Sequence, residues 1–365
     1  MHFPENVHLM KVALLVSIMC LLLIVFVPSI QAVSETPSEM VNATVTEIQI
    51  NDETNYYKLL LTSGSNKGRQ IDITEPATQN DRNYQQNDRL ILRESLNTDE
   101  DSQYEIIDKL RTPQLFSLFI LFLVLVLLVA GLTGLRSFIS LGLSFVVLFV
   151  VTLPLLLKGY PPVPIAVMTS VLIALASFYI GHGVSRKTTI ALVSTLITLL
   201  ICAVLGQIYV NISGLTGATT DESSFIYLQL GQFINFKGIL LAGIIIGALG
   251  VLDDITISQS AIVAELKSLH PKIGRLEVYK SSMKIGKDHI ASLVNTLVLA
   301  YTGASLPLLL LFSLSHSNFT NVINLEQIAE EVVRTLVGSI ALVLAVPITS
   351  ALAAYFILPE EKNEA

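Results

Sequence analysis

The chain has 365 residues, of which 52% are apolar and only 14% charged, with no Trp; that balance excludes an ordinary soluble domain. A formal net charge of -7 at pH 7 argues against a nucleic-acid partner. Two cysteines, Cys20 and Cys202, lie far apart in apolar stretches and read as buried thiols, not as a disulfide or a metal pair.

Runs long enough to cross a bilayer number about eight, near 12–30, 115–132, 137–157, 164–180, 188–210, 239–256, 290–312 and 332–356. The expected architecture is an all-α polytopic membrane bundle carrying a small all-β extracytoplasmic domain after its first helix. Residues 1–32, with Lys11 ahead of the run 12–30 and Ala32 as a small residue for cleavage, have the outline of a signal peptide. The apolar core is longer than usual for one and Ile30 suits cleavage badly, so an uncleaved first helix is the favoured reading.

Residues 33–111 alternate in short runs at 41–50, 56–62, 70–73, 89–93 and 104–107, separated by turn chemistry at Asn51-Asp52, Ser63-Gly64-Ser65-Asn66 and Asn80-Asp81. Five such strands suggest a small barrel like an OB-fold, a five-stranded Greek key. Platform aromatics are few (Tyr56, Tyr57, Tyr84 and Tyr104), which favours a docking or spacer role over a dedicated ligand site.

Residues 112–357 read as a seven-helix block, followed by a short tail, 358–365. The outer loop 211–237 carries Gly214, Gly217, Asp221 and Glu222. The inner connection 259–287 is broken at Pro271 and holds Lys267, Lys272, Arg275, Lys280, Lys284 and Lys287; it reads as a basic, partly amphipathic stretch near the membrane surface. With the N-terminus in the cytoplasm these cations join Lys11, Arg136, Arg186 and Lys187 on the inner side. The short outer loops keep only Lys158, Lys237 and Arg334, as the positive-inside rule expects. Both termini are then cytoplasmic.

The sixth apolar run carries the costliest residues. Gly243, Gly247, Gly250, Asp254, Ser258 and Ala261 fall on one helical face, so a carboxylate sits among glycines suited to close helix packing. Asp253 is rotated about 100° from that face. An ionisable group at membrane depth demands a functional reason, and Asp254 is the preferred candidate. Whether the helix ends near Thr256 or continues to Leu269 decides its depth. The seventh helix repeats the pattern: Asp288, Ser292 and Asn295 share a face, with Thr296, Tyr301 and Gly303 further along. Asp254 and Asp288 are expected to line one cavity. Against that stand a helix-capping role for Asp288, interhelical hydrogen bonding for Asn295, and an interfacial place for His289 as more usual than a proton carrier. No spacing resembles a zinc site and no glycine loop resembles a nucleotide pocket, so neither cofactor nor metal is expected.

At Gly247-Ala248-Leu249-Gly250 with Asp254, Gly286-Lys287-Asp288, Asn295-Thr296-Leu297 with Ala300-Tyr301-Thr302-Gly303, Ser305-Leu306-Pro307 and Val346-Pro347-Ile348-Thr349, the chain resembles the YibE/F family of bacterial multi-pass membrane proteins. The resemblance spans roughly residues 112–357, and the outer insert suggests the longer, YibE-like type. It implies a bacterial cell-membrane location and a shorter YibF-like relative, or a second copy, as partner within the bilayer. Asp253 departs from the family's single-acid pattern, which weakens any paired-carboxylate scheme.

The expected function is therefore secondary transport of an unspecified substrate, with Asp254 and Asp288 as coupling residues. The alternative is a non-transporting scaffold or sensor that binds a partner through the β-domain. An intramembrane aspartyl protease is disfavoured because no Gly-x-Gly-Asp surrounds either acid.

Overall fold

The computed structural model describes residues 39–50, 54–76, 84–96, 102–230, 234–314 and 318–357. The first apolar run and the C-terminal tail lie outside them. The described residues divide into two compact units, one before and one from residue 130.

In the first unit the alternating runs become five strands: β1 (Glu39–Ile50), β2 (Thr54–Leu61), β3 (Gln70–Pro76), β4 (Arg89–Leu96) and β5 (Ser102–Lys109). They form one antiparallel sheet in the order β3-β2-β1-β4-β5, with a bulge in β1 between Val45 and Glu47. Alternation puts Val41, Ala43 and Val45 of β1, Tyr57, Leu59 and Leu61 of β2, and Leu90 and Leu92 of β4 into one core. Tyr84 packs edge-on against Tyr57 at 5.4 Å. Buried Glu94 is satisfied at Oε1 by the Asn66 amide at 3.0 Å and the Tyr104 hydroxyl at 2.9 Å. The sheet curls into a half-barrel, and its two outer strands, β3 and β5, flank an open cavity of about 850 Å³.

The helices begin with α1 (Thr112–Val146), which changes direction at Gly131, where φ is +57° and ψ -140°. A π-helical turn (Val147–Thr152) and α2 (Leu153–Leu157) continue it. Then come α3 (Pro162–Ala176), a second π-helical turn (Ser177–Gly181), α4 (Arg186–Ile212), α5 (Asp221–Leu230), α6 (Phe236–Leu269), α7 (Arg275–Ala304), α8 (Leu306–Leu314), α9 (Phe319–Ile323) and α10 (Glu326–Phe356).

Five helical stretches among the described residues are long and apolar enough to cross a membrane: 112–157, 162–181, 186–212, 236–269 and 326–356. Of the eight runs in the sequence, the first lies outside the described residues. The second and third fall in one continuous stretch, as two helices that meet at a kink at Gly131. The seventh is divided between α7 and α8 at Ser305, and α7 begins with charged turns that dilute its apolar half. The inner connection is mostly helix as well: α6 continues to Leu269, and only His270 to Gly274 separates it from α7. Asp254 therefore sits well inside a 34-residue helix.

Helix α6 is the hub, packed against α3, α4, α7 and α10. Its N-terminal half buries Leu240, Leu241, Ile244, Ile245, Leu249 and Leu252 in the main core. Its C-terminal half is tied by side-chain hydrogen bonds to each neighbour in turn. Asp253 accepts from the Ser177 hydroxyl, and Thr256 and Thr195 of α4 share a bond of 2.7 Å. The Gln259 amide donates to the Ser282 carbonyl of α7 at 2.9 Å and to the Ser350 hydroxyl of α10 at 2.7 Å. Buried Lys267 donates to the carbonyls of Ala354 and Ile357, capping the C-terminus of α10. Where lipid replaces water, interhelical polar contacts of this kind hold a bundle together.

Candidate functional site

Because α6 has its polar ties on one side, its glycine face is left over. Gly243, Gly247, Gly250 and Asp254 are all exposed, with Ser258 and Ala261 half-buried below them. Nothing among the described residues lies within 4 Å of a Cβ built on Gly243 or Gly250. On Gly247 such an atom would meet the Tyr301 hydroxyl at 3.6 Å. Within this chain the stripe is the floor of a groove.

Helix α7 forms one wall. At its inner part Gly286 lies against Gln259, whose amide would be 3.1 Å from a Cβ there, and fifteen residues on Tyr301 reaches Gly247. The two helices are therefore antiparallel, and Asp254 falls between those two contacts. Asp254 is within electrostatic range of His289 and of His182, which ends the second π-helical turn. The Ser177–Asp253 bond fixes that turn at the same level. Three titratable groups from three elements thus lie within electrostatic range at this level of α6.

The other expected residues are placed as follows. Asp253 points away from the groove into the contact with Ser177, and its second oxygen, Oδ1, is buried without a hydrogen-bond partner. Asp288, Asn295 and Thr296 lie on exposed positions of α7, and the Thr296 hydroxyl is returned to the Ser292 carbonyl at 3.0 Å. His289, one residue beyond Asp288, is within electrostatic range of Asp254. Gly303 has nothing within 4 Å. Tyr301 stands half-buried midway along the groove, within electrostatic range of Arg334 and Glu331 of α10, which pair at 3.0 Å.

The glycine that brings two helices together is Gly286, where a Cβ would lie 2.5 Å from Val346. Sequence reasoning passed over four participants: His182, Ser177, Gln259 and Glu330. The flanking glycines in Gly181-His182-Gly183 mark a helix break with an ionisable residue at its centre, a signal available in the sequence. Glu330, at the start of α10, accepts from the Gly217 amide and the Thr219 hydroxyl, both at 3.1 Å, and so clamps the outer loop. Among the described residues no group of three or more His, Cys, Asp or Glu has a metal-holding arrangement.

The profile of YibE/F-like proteins matches residues 118–359, most of the chain. The chain belongs to the YibE/F-like family. No curated protein and no solved structure matches it. The YibE/F-like region contains the whole groove, its two histidines and the loop clamp, whereas the β half-barrel lies outside the matched residues. Membership together with the apolar helices makes this a membrane protein.

Proposed function

We propose that this YibE/F-like protein is a proton-coupled secondary transporter whose path follows the glycine-floored groove of α6, with Asp254 as the coupling residue. The observation that carries the reading is Asp254 itself: an exposed carboxylate at the end of a bare helical face, with an imidazole on either side. A carboxylate with imidazoles in electrostatic range is suited to taking up and releasing protons. Asp288, exposed near the same end of α7, serves as an outer acceptor for protons leaving His289. The reading is of a carrier and not an enzyme, with the basic loops and both termini on the cytoplasmic side and the half-barrel outside.

The test uses the full chain in proteoliposomes with a pH-sensitive dye inside. An imposed pH gradient should dissipate faster with wild type than in empty vesicles, and Asp254→Asn should remove the difference. Equal rates for wild type and Asp254→Asn would refute the assignment.

A second reading is favoured by one observation, the open cavity of about 850 Å³ between β3 and β5. On that reading the half-barrel binds a partner, such as a YibF-like protein or a second copy, and the helices anchor it. Deleting residues 41–109 would then abolish the cellular phenotype while Asp254→Asn left it intact. The reverse pattern favours transport.

A further inference from the structure

A second cavity, of about 620 Å³, lies between the first turns of α4 and the last turns of α10. Its size is that of an ordinary ligand site. Ile190, Val193, Leu352 and Phe356 make its walls, and Ser185 and Arg186 stand at its rim. The walls are not spare surface on a soluble domain: Arg186–Ile212 and Glu326–Phe356 are both membrane-length helices, and the cavity opens where they end. Val193 is 44% exposed and Phe356 56%, so apolar side chains face the space directly.

Charge decides what fits there. Neither Arg186 nor the adjacent Lys187 belongs to an ion pair found among the described residues, and no carboxylate lines the cavity. Two cations that contact the C-terminal end of α10 are occupied, Lys267 by the carbonyls of Ala354 and Ile357 and Arg275 by the ring of Tyr355 at 4.4 Å. An apolar slot at the end of two spanning helices, with unpaired cations only at its mouth, is complementary to a molecule that is apolar along its length and anionic at its head.

We infer that the slot between α4 and α10 is a binding site for an anionic phospholipid, its acyl chain against Ile190, Val193, Leu352 and Phe356 and its phosphate at Arg186. Lys187 lies beside the headgroup and adds to the positive field. Bound lipid would join α4 to α10 at their inner ends, beside the small cluster of Val263, Val278, Ala353 and Ala354 against which Ile190 packs. The inference is independent of the transport reading.

The test is native mass spectrometry of the full chain equilibrated with equal amounts of phosphatidylglycerol and phosphatidylcholine of matched acyl chains. Phosphatidylglycerol should be retained about five-fold over phosphatidylcholine, the preference expected from one surface cation. Arg186→Gln should bring the ratio to near one, and Val193→Trp, which fills the slot, should lower retention of both lipids. Equal retention of the two lipids by wild type, or variants with unchanged ratios and amounts, would overturn the assignment. Wild-type protein photolabelled with an acyl-chain-reactive phosphatidylglycerol provides a readout that needs no variant. Labels on 184–193 and 352–356 are expected. Labels confined to other segments, or a cross-link joining these two segments of two chains, would equally overturn it.

Discussion

The hydroxyl of Tyr301 stands over Gly247, 3.6 Å from where a Cβ would be. That spacing is ordinary van der Waals contact, so Gly247→Ala should leave stability within about 0.5 kcal/mol, since it also removes a helical glycine. Gly247→Leu has to displace the Tyr301 ring and fill the groove. The expected outcome is a protein with the wild-type melting temperature that no longer dissipates a pH gradient in vesicles. Loss of folding in both variants would show the glycine to be a packing residue.

Gly286 carries a harder constraint. A Cβ at that position comes within 2.5 Å of Val346 Cγ1 and about as close as packed atoms tolerate to the Gln259 amide. Gly286→Ala should destabilise the protein by about 1–3 kcal/mol, the usual effect of overpacking. Adding Val346→Ala should restore part of that loss, because the clash is with one methyl group. Thermal unfolding of the two single variants and the double variant in detergent measures the coupling.

The outer loop hangs on Glu330, which accepts from Gly217 and Thr219, and on the neighbouring Glu326, which accepts from the Thr216 amide. Glu330→Ala should release residues 216–220, seen as faster amide exchange there with little change in α6. Glu330→Gln, which keeps one acceptor oxygen, should give an intermediate rate. Gly217 itself has φ +74°, and a Cβ would sit 2.4 Å from the Phe236 carbonyl, so Gly217→Ala should loosen the same loop even with Glu330 in place.

In the half-barrel, Lys109 pairs with Asp88 at 2.6 Å. Burial works against the ionised carboxyl, but the Lys109 ammonium and the Gln85 amide outweigh it and hold Asp88 below its ordinary range. A carboxyl lowered on folding gives stability that is present above its unfolded value of about 4 and is lost as pH falls through the folded one. The half-barrel should therefore lose up to about 1 kcal/mol below that value. Lys109→Met should flatten this acid limb, as followed by limited proteolysis between pH 6 and pH 3.

Much of this organisation is written locally. The alternation of Val41, Ala43 and Val45 against polar neighbours announces β1, and runs such as Ile239 to Thr256 announce helices. The identity of the groove's second wall is not written that way. Asp288 and His289 differ by about 100° around α7, and which of them faces Asp254 depends on how α7 is rotated. That rotation is set by Gly286 against Val346, a contact between helices distant in sequence. Likewise, periodicity places Gly243, Gly247 and Gly250 on one face without saying what the face meets. The bend at Gly131 depends on one residue's φ, which apolar run lengths do not report.

The second π-helical turn, Ser177–Gly181, holds one residue more per turn than an α-helix would. That surplus acts as a phase shift: everything after it is turned by about 100° relative to a regular continuation of α3. Shortening the turn by a single residue would leave the helix intact and every interior side chain of α3 in place, yet swing His182 about the helix axis and change its separation from Asp254. The chemistry at the inner end of the groove is thus timed by an insertion that no side chain in the groove reveals.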